Sequence, residues 1–299
     1  MTTPLSARAI LDDLADRSGV MRTPCGDGDM VWRIWGPGDS TKPALVLLHG
    51  GFGAWNHWVR TIPHFAGNRT VVVPDLPGCG MSADPSEPYD ADSLAQLIAD
   101  GLDRAIPGDA PFDLVGFSFG GLLGGPIARR QASRIRRLVI VGTPILGLTT
   151  KGPANDLLPV PDGLSPDEAA PIYRANLEKL MVHAPEAIDA LAMTLHTENM
   201  ARSRLRSRGI ARRTIAADSL REPLCPLAFI YGDRDVTLDP DLDGIRACAH
   251  TLDRDAPFHV LPDIGHWVQY EAAERFNPLL AQILDAAAQP TFAIIDDQC

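Results

Sequence analysis

The sequence has no CxxC pair, no GxGxxG or GxxxxGK[ST] glycine loop, and no apolar run approaching the ~18 residues that a membrane-spanning helix requires. Its five cysteines, Cys25, Cys79, Cys225, Cys248 and Cys299, are odd in number and widely spaced. That usage excludes a disulfide frame and a zinc site, and fits reduced thiols in a cytoplasm. A positive balance is also missing, since the formal net charge is −11. Nucleic acids and anionic membranes are bound through clustered Lys and Arg, so neither partner is expected. The stretch MTTPLSARAILDDLADRSG has no apolar h-region and is interrupted by acids, so it does not read as a signal peptide. Repeats and low-complexity blocks are absent. The expected partner is a small-molecule substrate, with no cofactor and no metal.

What is present is a core. Hydrophobic residues make up 45% of 299, enough for one α/β domain carrying an inserted subdomain. VWRIW (31–35) alternates and reads as a strand. Continuous apolar runs at 43–50, 69–78, 112–118, 136–144, 226–235 and 258–266 read as strands buried on both faces. Helical patterns lie between them at 55–66, 91–106, 119–132, 239–250 and 267–287. The alternation predicts a mostly parallel sheet flanked by helices. It breaks between 146 and 220, where Ser165-Pro166-Asp167-Glu168 is a helix start and helical patterns follow near 166–182, 185–201 and 203–219. This predicts an all-helical cap over the carboxyl edge of the sheet, where ligands bind in such folds. The expected division is a helical N-terminal segment (1–27), a core (28–145 and 221–288), the cap (146–220) and a tail (289–299). A homodimer through the cap or the N-terminal helix is one arrangement the sequence allows.

The stretch DLVGFSFGG (113–121) sets Ser118 between Gly116 and Gly120, after a buried strand and before a helix. A sharp strand-to-helix turn strains the residue at its apex and brings the positions two before and two after it together. Both must then be small. The turn lifts the serine hydroxyl above the sheet edge and aims the N–H of Phe119 at an oxyanion. A serine hydroxyl needs a base, and the base needs an acid. His266 follows the last strand. Asp233, Asp235, Asp239 and Asp241 follow the strand before it. A second oxyanion donor is available at Gly51 or Phe52, in the glycine-rich loop LLHGGFGAW (47–55). Each feature alone has an ordinary explanation as a turn or a helix start, and the weight lies in their order along the chain. His49, His57, His64, His183, His196, His250 and His259 show no ligand spacing and read as structural or solvated.

From about residue 28 to 288 the chain resembles the α/β-hydrolase superfamily, whose order is serine, acid, histidine. The resemblance implies the α/β-hydrolase fold and takes Asp235 as the acid, from the GxxD turn Gly232-Asp233-Arg234-Asp235, with Asp233 as fallback. DLPGCGMS (75–82) resembles a loop that is chiefly structural in that family. Serine at the nucleophile position argues against haloalkane dehalogenase and epoxide hydrolase chemistry, which uses aspartate there.

GHWVQYE (265–271) and TENMARSR (197–204) are further similar to segments of meta-cleavage product hydrolases, which cut carbon–carbon bonds of vinylogous diketones. That resemblance makes Arg204 a clamp for a substrate carboxylate and sets Trp267 on the pocket wall. Those enzymes carry Asn directly before the serine, whereas this chain has Phe117, which points to a more apolar acyl pocket. The expected function is therefore hydrolysis of a small, partly apolar ester or lactone by Ser118, His266 and Asp235. Carbon–carbon hydrolysis is one alternative, and non-catalytic ligand binding on the same fold is another.

Overall fold

The computed structural model describes residues 5–37, 40–148, 156–161, 163–222, 224–238 and 241–286. Asp239, Cys299 and the 289–299 tail lie outside the described residues.

The chain begins with α1 (Ala7–Asp16), whose N-cap Ser6 accepts a hydrogen bond from Ala9 N–H, and which buries Leu11 and Leu14. β1 (Gly19–Cys25) and β2 (Gly28–Trp35) then form an antiparallel hairpin. β3 (Ala44–Leu48), α2 (Ile62–Phe65), β4 (Val71–Pro74), α3 (Ala91–Ala105), β5 (Phe112–Phe117), α4 (Phe119–Gln131) and β6 (Ile135–Val141) follow. Between β6 and the next strand come the helices α5 (Pro166–Leu180), α6 (Ala190–Ala201), α7 (Ser207–Ala211) and α8 (Ile215–Ser219). β7 (Leu227–Gly232), α9 (Leu242–Leu252), β8 (Phe258–Leu261), α10 (Val268–Glu271) and α11 (Ala273–Asp285) complete the described fold.

The eight strands form one sheet in the order β1-β2-β4-β3-β5-β6-β7-β8. Every pairing from β4 to β8 is parallel, and only β1 and β2 run against their neighbours. Alternate residues of the inner strands feed two apolar layers, as the two-residue repeat of a strand requires. Val46, Leu114, Ile140 and Phe229 join the layer under α3, α4 and α9. Leu45, Val115, Val139 and Ile230 join the layer under α1, α2 and α11.

The first 27 residues are not wholly helical: α1 gives way to β1, which belongs to the sheet. β1 is an edge strand with a largely exposed face, so its apolar pattern is weak, and Pro24 interrupts it. Its two-residue turn is made possible by Gly26, at φ 52°. The helical segment after β6 is more broken than periodicity suggested, ending in two short helices, α7 and α8. The last of these packs back on α4, where Arg129 Nε donates to Ser219 O.

Candidate active site

β5 delivers Ser118 into α4 through a turn in which Ser118 sits at φ 51° and ψ −114°. Positive φ is strained for a residue with a Cβ. The neighbours hold it there. Ser118 N–H donates to Val141 O at 2.8 Å, and the Thr143 hydroxyl donates to Ser118 O at 3.1 Å. A Cβ on Gly116 would lie 2.5 Å from Gly121 Cα, and one on Gly120 would lie 2.6 Å from Leu48 O. One on Gly121 would collide with Thr143 Oγ1. The glycines are thus required by close backbone approach, not by their own torsions.

The hydroxyl meets a hydrogen-bonded chain. Ser118 Oγ lies 3.0 Å from His266 Nε2, and His266 Nδ1 lies 2.8 Å from Asp235 Oδ2. His266 follows β8 and Asp235 follows β7, so three distant segments converge above one sheet edge. Both partners are buried, with His266 4% and Asp235 7% exposed. Asp235 Oδ1 accepts from the Thr237 N–H at 2.9 Å and the Thr237 hydroxyl at 2.7 Å. That turn fixes the carboxylate plane. Asp233 is engaged differently, accepting from Ile264 N–H at 3.4 Å. Asp241 caps α9 through Gly244 N–H.

The loop after β3 lies against the serine. A Cβ on Gly50 would stand 3.2 Å from Ser118 Cβ, and Phe52 holds a positive φ of 58°. His49 pins this loop: its Nδ1–H donates to Gly50 O at 2.7 Å, and its Nε2 accepts from Leu76 N–H at 2.9 Å. Burial pushes the His49 imidazole down to about 4, which keeps that tautomer neutral. Among the described residues, neither the Phe52 nor the Phe119 N–H has a protein acceptor. A cleft opens over Ser118 and His266. Gly51, Phe52, Phe117 and Phe119 line it from the core, and Leu180, Met181, Arg208 and Ala211 from the helices above.

A model of the alpha/beta hydrolase family matches residues 45–279. The chain belongs to the alpha/beta hydrolase family. It is 29% identical over 268 residues to the 2-hydroxymuconate semialdehyde hydrolase of Pseudomonas sp. strain CF600, covering 82% of this chain and 88% of that one. The esterase RhEst1 from Rhodococcus sp. ECU1013 superposes with a TM-score of 0.74 at 22% identity, over 90% of this chain and 99% of that one. The meta-cleavage product hydrolase of Pseudomonas fluorescens IP01 does so with a TM-score of 0.70 at 22% identity, over 91% and 99%. The chain is thus a hydrolase with esterases and carbon–carbon hydrolases among its relatives. No helix among the described residues is long and apolar enough to cross a membrane.

Two expected pocket residues of this hydrolase lie elsewhere. Arg204 is not on the cleft wall: its Nε pairs with Asp84 at 2.7 Å, its Nη1 donates to Arg202 O, and its backbone N–H donates to Gly78 O. It ties the region above the cleft to the loop after β4. Trp267 is 1% exposed, stacks on Tyr270 at 4.2 Å and donates its indole N–H to His57 O. Its role is packing. Phe117 does line the cleft, with its ring 4.9 Å from that of His266. The loop 75–82 is a structural knot, in which Asp75 accepts from Trp55 N–H and Met81 N–H.

Sequence reasoning missed four residues. Arg208 and Arg212, two of six arginines between 202 and 213, reach the cleft, and their spacing of four places them on one helical face, a signal that was there to read. Thr237 completes an Asp-x-Thr turn. Glu271 gathers the backbone N–H groups of His183, Ala184 and Gly265, joining the segment after α5 to the loop that carries His266.

Proposed function

We propose that this hydrolase cleaves a small, partly apolar carboxylic ester or lactone through an acyl-enzyme on Ser118. The observation that carries this reading is the hydrogen-bonded chain Ser118–His266–Asp235 on the floor of an apolar-walled cleft. Ser118 Oγ attacks the carbonyl while His266 Nε2 takes its proton. Asp235 holds the Nδ1–H tautomer and stabilises the imidazolium that forms. The N–H groups of Phe119 and of Phe52 or Gly51 receive the oxyanion. His266 then protonates the leaving alcohol, activates water, and the acid departs. Every step uses groups of this chain, so the reading requires neither cofactor nor metal.

Fluorophosphonate labelling tests it. Wild type should be labelled and should hydrolyse short aryl esters, and folded Ser118→Ala should do neither. Wild type that resists the label and turns over no ester would overturn the reading.

The names of the relatives favour a second reading, carbon–carbon hydrolysis of a dienoate with the same three residues. Arg208 and Arg212 are the guanidinium groups that a carboxylate in the cleft would meet. Against it stands Phe117, whose ring takes the place of a polar contact beside the serine. A coloured dienoate that bleaches faster than aryl esters are cleaved would select this second reading.

A further inference from the structure

Behind the oxyanion loop the cleft leads into a second compartment, which shares Gly51, Phe52, Leu180, Met181 and Arg208 with it. Its remaining wall includes Leu157, Met200, His57 and His196. The two histidines set it apart. His57 is 5% exposed, and among the described residues its Nδ1 has no hydrogen-bond partner. His196, on α6, has a buried and equally unpartnered Nε2. Each of these two rings on the compartment wall thus keeps one buried nitrogen unpaired among the described residues, which costs free energy. A Cβ on Gly53 would overlap the His57 ring, so the loop leaves room for this imidazole. His57 is wedged against Phe117 and Trp267, at 5.8 and 5.1 Å between ring centroids, and His196 packs on Tyr173 at 5.5 Å.

We infer that this compartment is an acyl-chain subsite in which His57 and His196 recognise a neutral oxygen, a carbonyl or hydroxyl, borne on the part of the substrate that stays on Ser118. The inference rests on the ester-hydrolase reading and deepens it. The compartment opens at Gly51 and Phe52, whose N–H groups would grip the acyl oxygen, so the acyl chain is the arm nearest to it. Burial holds both imidazoles neutral, and His57 is further disfavoured as a cation by His49, His196 and His266. Neutral imidazoles each offer one donor and one acceptor. Away from Arg208, which stands where the compartment meets the cleft, the wall beside the histidines is Leu157, Met200 and an Asn176 amide already bonded to Leu158, which would leave an anion there poorly solvated. Arg208 lies over the Phe52 ring at 5.4 Å, where the two spaces meet.

The test is a matched series of p-nitrophenyl esters: 4-oxopentanoate, 4-methylpentanoate and hemisuccinate. Wild type should prefer the oxo ester to the methyl ester by about tenfold in kcat/KM, with the anionic ester slowest. In His196→Met and in His57→Phe that ratio should fall to near one, whatever the absolute rates. His196→Met carries the test alone if the core change at His57 does not fold. Equal wild-type rates for oxo and methyl esters, a ratio that survives in the folded variants, or a preference for the hemisuccinate would each overturn the inference. If no ester is hydrolysed at all, the ester-hydrolase reading fails separately. Calorimetry on Ser118→Ala with methyl 4-oxopentanoate and methyl 4-methylpentanoate then reads the compartment directly. About tenfold tighter binding of the oxo compound, lost when His196→Met is added, sustains the subsite, and equal binding removes it.

Discussion

Asp233 and Asp235 are two residues apart, and the backbone turn between them gives them different work. Asp235 Oδ2 reaches the His266 imidazole, while Asp233 supports the backbone at Ile264. Asp235→Asn should lower kcat by on the order of ten-thousand-fold, because an amide stabilises the wrong tautomer. Asp233→Asn should cost about threefold or less, since the amide oxygen can still accept from Ile264 N–H and only a long, exposed ion pair with Arg234 at 3.8 Å is lost. Comparable losses in steady-state kinetics would reassign the acid. Thr237 is a positioning residue, with its hydroxyl 2.7 Å from Asp235 Oδ1 and 3.2 Å from His266 Nδ1. Thr237→Ala should lower kcat about tenfold with KM little changed, and Thr237→Ser should restore it. A rise in KM alone, or no rescue by serine, would show a merely structural side chain. At this scale Ser118 and His266 were legible because turn chemistry and strand order constrain them tightly. Thr237 was not, since its role depends on how one loop closes. Arg204 was misplaced because six arginines crowd 202–213, and similarity of a segment does not say which of them bends toward the cleft.

Elements bring these residues together, and the glycines of the β5–α4 turn are where the sequence most directly dictates the geometry. Gly116→Ala would drive a Cβ into the backbone of Gly120 and Gly121, which cannot yield without moving α4 off β5. The expected cost is about 3 kcal/mol of stability, read from urea midpoints at constant slope, with activity lost as the serine tilts. A variant as stable and active as wild type would show that the turn is looser than its contacts imply. The parallel strands were legible because burial on both faces writes an unbroken apolar run. β1 was not, since an exposed edge strand needs no such run. The helices over the cleft were legible in number only approximately. They are held by scattered polar anchors, such as Asn199 Nδ2 on Asn56 Oδ1 and the Glu271 carboxylate on His183 N–H, rather than by a long apolar stripe. Long-range side-chain-to-backbone ties of that kind leave no periodic trace.

For the whole molecule, the buried imidazoles of His49, His57 and His196 make folding depend on pH. Burial lowers His49 and His196 from 6.5 to about 4, and His57 well below its usual value. The unfolded chain therefore binds more protons than the native one between pH 6.5 and about 4, so stability is complete above that window and falls as pH drops through it. Asp75, buried with no ion-pair partner among the described residues, works in the opposite sense. Burial raises its carboxyl, so the native form gains protons as pH falls. Asp113, desolvated although Arg69 and Arg136 pair with it, acts the same way. These groups offset part of the loss. Each imidazole contributes roughly 1.4 kcal/mol per pH unit once the unfolded form is protonated. Urea denaturation at pH 7 and pH 5 should show the midpoint falling with an unchanged slope. His196→Met should flatten that dependence by about 2 kcal/mol, since methionine removes one proton-binding site from the unfolded chain and none from the native one. Wild-type and variant curves that run parallel would mean that His196 is reached by water and already titrates in the folded protein. In that case the compartment it lines is wet.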